Sequence, residues 1–264
     1  MDELRVSTVQ TELYWQDEQT NLSMLETKLA PLAKETDLIV LPEMFNSGYS
    51  MSPEEIAQPL EGAALKWMKA QANALSCAIC GSIAIVEDGI YFNRFMFVHP
   101  DGALDSYDKR HCFRMSGEHE VYHAGNRKVV IEYKGWRILA QVCYDLRFPV
   151  FARNRFIKEK NQHEYDLMIN VANWPEPRRN PWRILVQARA VENLAYVVAV
   201  NRVGQDENGN QYSGDSLVVD YRGDLVVDHQ RQSSIHTSSL NLQSLMRFRE
   251  KFPVWLDADD FTLS

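Results

Sequence analysis

The sequence predicts an α/β protein in which mixed sheets are layered with helices on their outer faces, and three observations carry that reading. Short apolar runs alternate with segments of helical periodicity, and turn sequences at Glu87-Asp88-Gly89 and Pro100-Asp101-Gly102 open hairpins. Three apolar runs also end abruptly in polar residues, at Glu43, at Cys143, and at Asn173 with Trp174. A chain of 264 residues, 45% hydrophobic, can bury a large core, and no long Gly/Ser/Pro linker, low-complexity tract or repeat divides it. The expectation is one domain over residues 1–264, with a C-terminal tail segment from about residue 243.

Leu22, Leu25, Leu29 and Leu32 lie at helical spacing and are followed by a strand from Asp37 to Leu41. Leu65, Met68, Ala72 and Leu75 repeat the pattern before a strand from Cys77 to Val86. The chain enters another strand over Arg127 to Tyr133. The run Trp136 to Val142 is too short for a helix and apolar enough for a buried strand, and Pro149 suits the first turn of a following helix. Beyond it come a strand from Asp166 to Val171, a helix from Pro181 to about Leu194 and a strand from Ala195 to Asn201. Further strands fall near Asp215 to Asp220 and Leu225 to Asp228. If the strands ending at Glu43, Cys143 and Asn173 lie side by side, their terminal side chains converge on one rim, where α/β enzymes bind ligands.

A net charge of -8 argues against a nucleic-acid surface, which is normally basic. With a pI near 5.4 and dispersed acidic residues, the charge favours solubility instead. No apolar stretch approaches membrane-spanning length, and the start Met1-Asp2-Glu3-Leu4-Arg5 lacks the plan of a signal peptide. The expected location is cytoplasmic, where the four cysteines stay thiols.

Cys143 arrives at a strand end. A lone cysteine usually packs as a small hydrophobe, so its position alone decides nothing. Glu43 ends the strand Asp37 to Leu41, however, and Lys109 in Asp105-Ser106-Tyr107-Asp108-Lys109 follows another predicted strand. A thiol, a carboxylate and an ammonium group make a working set. The carboxylate takes the thiol proton, the thiolate attacks a carbonyl carbon, and the ammonium stabilises the oxyanion.

These segments resemble the nitrilase, or carbon-nitrogen hydrolase, superfamily. Leu41-Pro42-Glu43-Met44-Phe45-Asn46-Ser47-Gly48-Tyr49 is similar to the segment carrying its general base, and Tyr107-Asp108-Lys109-Arg110-His111-Cys112-Phe113 to its lysine segment. Val142-Cys143-Tyr144-Asp145-Leu146-Arg147-Phe148-Pro149 resembles its nucleophile segment. The family's second glutamate maps to Glu118, with Glu120 close by. Phe45-Asn46-Ser47-Gly48 and Asn173-Trp174-Pro175-Glu176-Pro177-Arg178 resemble substrate-pocket segments of the omega-amidase branch. The resemblance implies a four-layer αββα sandwich and a homodimer. It also implies hydrolysis, without metal or organic cofactor, of short alpha-keto dicarboxylic monoamides such as 2-oxoglutaramate and 2-oxosuccinamate.

Under this reading Glu43 draws the proton from Cys143, while Lys109 and the backbone N–H of Tyr144 hold the oxyanion and Glu118 positions Lys109 or substrate. A carboxylate-bearing substrate needs a cationic clamp remote from the thiol, for which Arg178 and Arg179 are candidates. Asn46, Tyr49, Asn173 and Trp174 supply further contacts. Other substrates within the mechanism are a nitrile, an N-carbamoyl amino acid or an aliphatic amide, and a silent interaction protein on the same fold is a further class.

One rival motif is His119-Glu120-Val121-Tyr122-His123, which fits the H-E-x-x-H pattern of zinc proteases. Gly117 and Gly125 bracket it too closely for the helix that would hold both imidazoles on one face. Cys77 and Cys80 likewise resemble a redox or metal pair. In a strand, though, residues three apart point to opposite faces, and both read as core.

Overall fold

The computed structural model describes residues 2–259 and 261–262. The chain opens with β1 (Glu3–Gln10), α1 (Glu18–Leu29) and the short β2 (Leu38–Val40). A single turn α2 (Pro53–Ile56) precedes α3 (Ala63–Leu75), β3 (Ala78–Glu87), β4 (Ile90–Val98) and β5 (Leu104–Asp108). The second half begins with another single turn, α4 (Glu118–Val121), then β6 (Val130–Tyr133), β7 (Trp136–Val142) and α5 (Pro149–Ala152). A small hairpin, β8 (Phe156–Ile157) with β9 (Gln162–His163), leads to β10 (Leu167–Ala172), α6 (Arg179–Asn193) and β11 (Tyr196–Asn201). A second hairpin, β12 (Val203–Gln205) with β13 (Gln211–Ser213), is followed by β14 (Leu217–Val219) and β15 (Leu225–Asp228). The chain then runs through β16 (Ser234–Asn241) into α7 (Leu242–Lys251).

The strands form two six-stranded sheets, in the orders β16-β1-β2-β3-β4-β5 and β15-β14-β11-β10-β7-β6. Each has three parallel strands at its centre, β1, β2 and β3 in one and β7, β10 and β11 in the other, with antiparallel strands outside. Alternation along a strand assigns the layers. Leu38 and Val40 of β2 pack in the cluster that joins the two sheets, whereas Ile39 and Leu41 pack with Leu25 and Leu29 of α1 and Leu65 and Met68 of α3. On the other side, Trp182, Val186 and Ala190 of α6 bury against the second sheet. The result is helices, sheet, sheet, helices. Cys77 falls in the outer cluster and Cys80 in the inner one, on opposite faces, and both are free thiols.

Two expectations need correction. The strands ending at Cys143 and Asn173 are neighbours, but β2, which precedes Glu43, belongs to the other sheet, so the rim is assembled across the sandwich. The helix expected from Pro149 lasts one turn, because Asn154 is drawn away to Tyr165 and Asn193 by side-chain and main-chain hydrogen bonds. The C-terminal segment packs against its own chain. Leu245 is buried, Arg249 donates to Asp166 at 2.7 Å and to the Leu194 carbonyl at 2.8 Å, and Trp255 stacks on Phe156 at 5.3 Å.

Candidate active site

Glu43 is placed by an interrupted ladder. Leu41 still donates to the Cys80 carbonyl at 2.8 Å, but Pro42 has no N–H to donate and keeps only a long bond of 3.5 Å from Ser82 N–H to its carbonyl. Ser82 then captures the chain, its hydroxyl taking Met44 N–H at 2.9 Å and its carbonyl Phe45 N–H at 3.3 Å. A Cβ at Gly81 would stand 2.8 Å from Phe45, so glycine is what lets this loop lie flat on β3. Met44 has φ 43°, a left-handed conformation that turns Glu43 inward, where it is fully buried.

Lys109 leaves β5 with its N–H on the Asn93 carbonyl at 2.9 Å. Its ammonium donates to Glu43 Oε1 at 2.9 Å and to both oxygens of Glu118, at 2.8 and 2.9 Å. Asn93 Nδ2 joins the same carboxylates, 2.8 Å from Glu43 Oε1 and 3.2 Å from Glu118 Oε1. Glu118 opens α4, accepts Phe113 N–H at 2.5 Å and is fully buried. Glu120 instead leaves its side chain 74% exposed, so Glu118 is the second carboxylate at the lysine. Burial opposes the charge on Lys109, but the two carboxylates outweigh it and hold its pKa well above the ordinary value.

Cys143 ends β7 with φ 46° and begins a 3-10 turn running to Arg147. Asp145 fastens that turn to the lysine segment. Its Oδ2 accepts from Tyr107 Oη at 2.8 Å and Val142 N–H at 3.0 Å, and its Oδ1 from His111 Nδ1 at 2.7 Å and His111 N–H at 3.0 Å. Cys143 Sγ lies 4.0 Å from the Asn173 carbonyl. Burial, then the negative charge of Glu43, push the thiol pKa well up against the opposing pull of Lys109. That direction favours the protonated thiol, which a neighbouring base would activate. Glu43 Oε1 already accepts two donors, whereas Oε2 accepts Asn173 N–H at 2.8 Å and keeps a lone pair.

Cys143 opens into a cavity of about 300 Å³ lined by Tyr49, Phe113, Ser116, Asn173, Trp174, Arg178, Asn210 and Tyr212, with Met115 and Pro175 at its edges. Of the residues expected to contact substrate, Tyr49, Asn173, Trp174 and Arg178 line it. Tyr49 also faces Lys109, 5.3 Å from ring centre to nitrogen, and shares a hydrogen bond of 2.8 Å with Ser116. Asn173 has a double function in the geometry, because its Nδ2 donates to the Glu43 carbonyl at 2.5 Å while its Oδ1 has no partner among the described residues.

Two expected contacts are corrected. Arg179 begins α6 and is clamped to Asp215 at 2.6 and 2.7 Å, which turns it from the cavity. Asn46 is held by Glu18 at 2.8 Å and by Asn21, which donates to its carbonyl at 2.9 Å, so it anchors the loop to α1. Tyr144 is expected to act through its backbone N–H, and its ring packs between Phe113 and Phe148 and lines a different cavity, of about 590 Å³. Asn93, Asp145, Phe113, Asn210 and Tyr212 were not singled out from sequence. Asn93 and Tyr212 carried no signal there, since a strand asparagine and a hairpin tyrosine are ordinary residues. Asp145, at motif spacing two residues after Cys143, was the one within reach.

The H-E-x-x-H segment does not form a ligand face. The helix covers only Glu118–Val121, Tyr122 is extended (φ -112°, ψ 139°), and His123 lies beyond, with its ring 5.7 Å from Phe92. Among the described residues no group of three His, Cys, Asp or Glu side chains is disposed to hold a metal.

Residues 5–250 match the model of the carbon-nitrogen hydrolase family. The chain is 44% identical to omega-amidase YafV of Escherichia coli (strain K12) over 265 residues, with 100% of each covered. It is 29% identical to the 2-oxoglutaramate amidase of Bacillus subtilis (strain 168) over 255 residues, with 96% of each covered. The crystal structure of XC1258 from Xanthomonas campestris, a CN-hydrolase superfamily protein with an arsenic adduct in its active site, superimposes with a TM-score of 0.98 at 45% identity, covering 100% of both chains.

Proposed function

The chain belongs to the carbon-nitrogen hydrolase family, and from that premise we propose that it is an amidohydrolase of the omega-amidase kind, releasing ammonia from short alpha-keto dicarboxylic monoamides. One observation carries the reading. A buried Glu43-Lys109-Glu118 cluster stands behind Cys143, and Cys143 lines a cavity whose only charged lining residue, among the described residues, is Arg178.

Glu43 takes the thiol proton of Cys143, and the sulfur bonds to the amide carbon. The oxyanion is stabilised by Lys109 and the Tyr144 N–H, in a site dry enough for their charge to act at full strength. The C–N bond breaks as Glu43 returns its proton to the leaving nitrogen, and ammonia departs. Water then gives a proton to Glu43 and attacks the thioester. The C–S bond breaks, the dicarboxylate leaves, and Glu43 reprotonates the thiol. Glu118 keeps Lys109 charged and oriented throughout.

Arg178 is the single candidate for the carboxylate clamp. Its guanidinium lies 5.1 Å from the Phe113 ring centre, at the cavity wall. A guanidinium there pairs with a carboxylate through two N–H groups. Tyr49 and Asn173 Oδ1 offer further hydrogen bonds to substrate. The working unit is proposed to be a cytoplasmic homodimer, which light scattering tests: a 30.5 kDa species alone at micromolar concentration overturns the dimer.

The deciding experiment is ammonia release from 2-oxoglutaramate, 2-oxosuccinamate, neutral amides of equal length and a nitrile, with and without chelator. Keto-acid monoamides are expected to be turned over fastest, with chelation changing nothing. Equal rates on the neutral amides overturn the carboxylate requirement, and loss of activity on chelation overturns the thiol mechanism.

A further inference from the structure

Arg202 is a buried cation next to the same cavity whose hydrogen bonds all go to main-chain carbonyls. It follows β11 and is 1% exposed. Its Nε donates to the Val203 carbonyl at 3.1 Å, and its Nη2 to the carbonyls of Leu13 at 3.1 Å and Gln205 at 3.2 Å. Nη1 has no partner among the described residues. Burial outweighs the nearby Asp206 and Glu12 carboxylates and lowers the Arg202 pKa, so the guanidinium is only partly compensated and a further anion near it is favoured.

Its surroundings point to the cavity. The guanidinium lies 4.7 Å from the ring centre of Tyr212, whose ring lines the cavity. Nη1 stands 3.6 Å from where a Cβ on Gly48 would project, and Gly48 has φ 75°, so only glycine lets the Asn46 to Tyr49 loop close over the cation. From the far side, Tyr212 Oη donates to Asp206 Oδ2 at 2.9 Å, and Asp206 also accepts from Asn210 N–H and Nδ2, both at 2.9 Å. Of the two cavity-lining residues of the β12–β13 hairpin, Tyr212 is thus held between Asp206 and Arg202, and Asn210 is held by Asp206. No Asp or Glu lines the cavity among the described residues.

We infer that Arg202 is a positioning residue for substrate recognition: it holds Tyr212 against the cavity and biases the cavity toward amides that are negatively charged at the end remote from the thiol. This rests on the omega-amidase reading and extends it from Arg178 to a charge that never touches substrate. A residue that only stapled the loops would affect all substrates alike. Charge acting through the Tyr212 ring discriminates between them.

The test compares wild type, Arg202→Gln and Arg202→Lys on 2-oxoglutaramate and on a neutral amide of equal length, with circular dichroism as the check of folding. Arg202→Gln is expected to raise KM for the keto-acid amide about tenfold while changing KM for the neutral amide less than about threefold. Arg202→Lys, which keeps the charge and loses the planar fork, is expected to retain the preference for the anion while hydrogen exchange quickens across residues 203–213. If the Gln variant does not fold, the Lys variant decides. Equal proportional losses on both substrates, or no change in either variant, overturn the role of Arg202. A wild type that shows no preference for the anion overturns the substrate reading itself.

Discussion

The Tyr107 hydroxyl donates to Asp145 at 2.8 Å, and this bond ties the strand that delivers the lysine to the turn that delivers the cysteine. Two segments 38 residues apart in sequence are thereby set at one spacing. Asp145→Asn removes the charge behind four hydrogen bonds while keeping the side-chain shape. It is expected to cost about 2–3 kcal/mol of stability in denaturant unfolding. It is also expected to lower kcat about tenfold, with KM little changed, because the loss falls on the alignment of Cys143 with Lys109. Unchanged kcat would show that the turn holds its geometry without Asp145.

Cys143→Ala and Cys143→Ser are expected to lower ammonia release at least about 10³-fold with unaltered far-ultraviolet circular dichroism. Cys77→Ala and Cys80→Ala remove sulfur from opposite faces of one strand region, both in packed core. Each should retain kcat and lose about 1 kcal/mol of stability from the small cavity left.

The protonated resting thiol has a measurable signature. Because Glu43 is, after burial, the main cause of the raised Cys143 pKa, Glu43→Gln should lower that pKa. Iodoacetamide is expected to alkylate the Glu43→Gln variant faster than wild type at pH 8, although hydrolysis is lost. Slower alkylation in the variant would show that Glu43 favours the thiolate at rest.

At the other rim, Asp37 binds Arg5 of β1 and Lys134 of the β6–β7 turn, so one carboxylate links both sheets. Burial opposes its charge, but Arg5 and Lys134 outweigh that and lower its pKa from 3.8 to about 2. A carboxylate depressed in the folded state contributes stability that is complete above its unfolded pKa and lost as pH falls through the folded value. Stability should therefore drop between about pH 4 and pH 2, and Asp37→Asn should flatten that part of the profile. An identical slope in the variant counts against the link.

Arg178 and Arg179 are adjacent in sequence and opposite in environment. Arg178→Ala should raise KM for 2-oxoglutaramate about tenfold or more and leave the melting temperature nearly unchanged. Arg179→Ala breaks a bidentate pair with the buried Asp215 and should instead lower stability by about 1–3 kcal/mol with KM unchanged, although Arg183 still reaches Asp215 at 2.8 Å. A shift in KM from Arg179→Ala would return it to the site.

The strongly periodic parts of the fold were legible in the chain. α3 buries Leu65, Met68, Ala72 and Leu75 as their spacing requires, and the turn Asp88-Gly89 takes φ 51° and 76° as a tight hairpin needs. The strand Ser234–Asn241 was not legible, because Ser, His and Thr occupy a half-exposed edge and its reason to be a strand is its eight-residue ladder with β1. Nor was the shared plan of the two sheets, since strand order repeats where sequence does not. Glu43, Lys109 and Cys143 stood out because each follows a strand. Asn93 and Arg202 act only through residues brought to them by the fold, and their roles lie in hydrogen bonds no spacing encodes. Arg178 and Arg179 could not be told apart, because which of two neighbours meets Asp215 depends on where α6 begins.

The left-handed backbone at Cys143 limits what chemistry this position can ever host. Unbranched side chains enter that conformation at modest cost, so cysteine, serine and alanine can be exchanged there to compare sulfur with oxygen on an unchanged frame. Threonine and valine place a second heavy atom on Cβ and meet the neighbouring main chain, at a cost of roughly 1–3 kcal/mol. A secondary-alcohol nucleophile therefore carries a backbone penalty at this position that serine does not. Evolution of the enzyme toward hydroxyl catalysis is thereby steered to serine ahead of threonine.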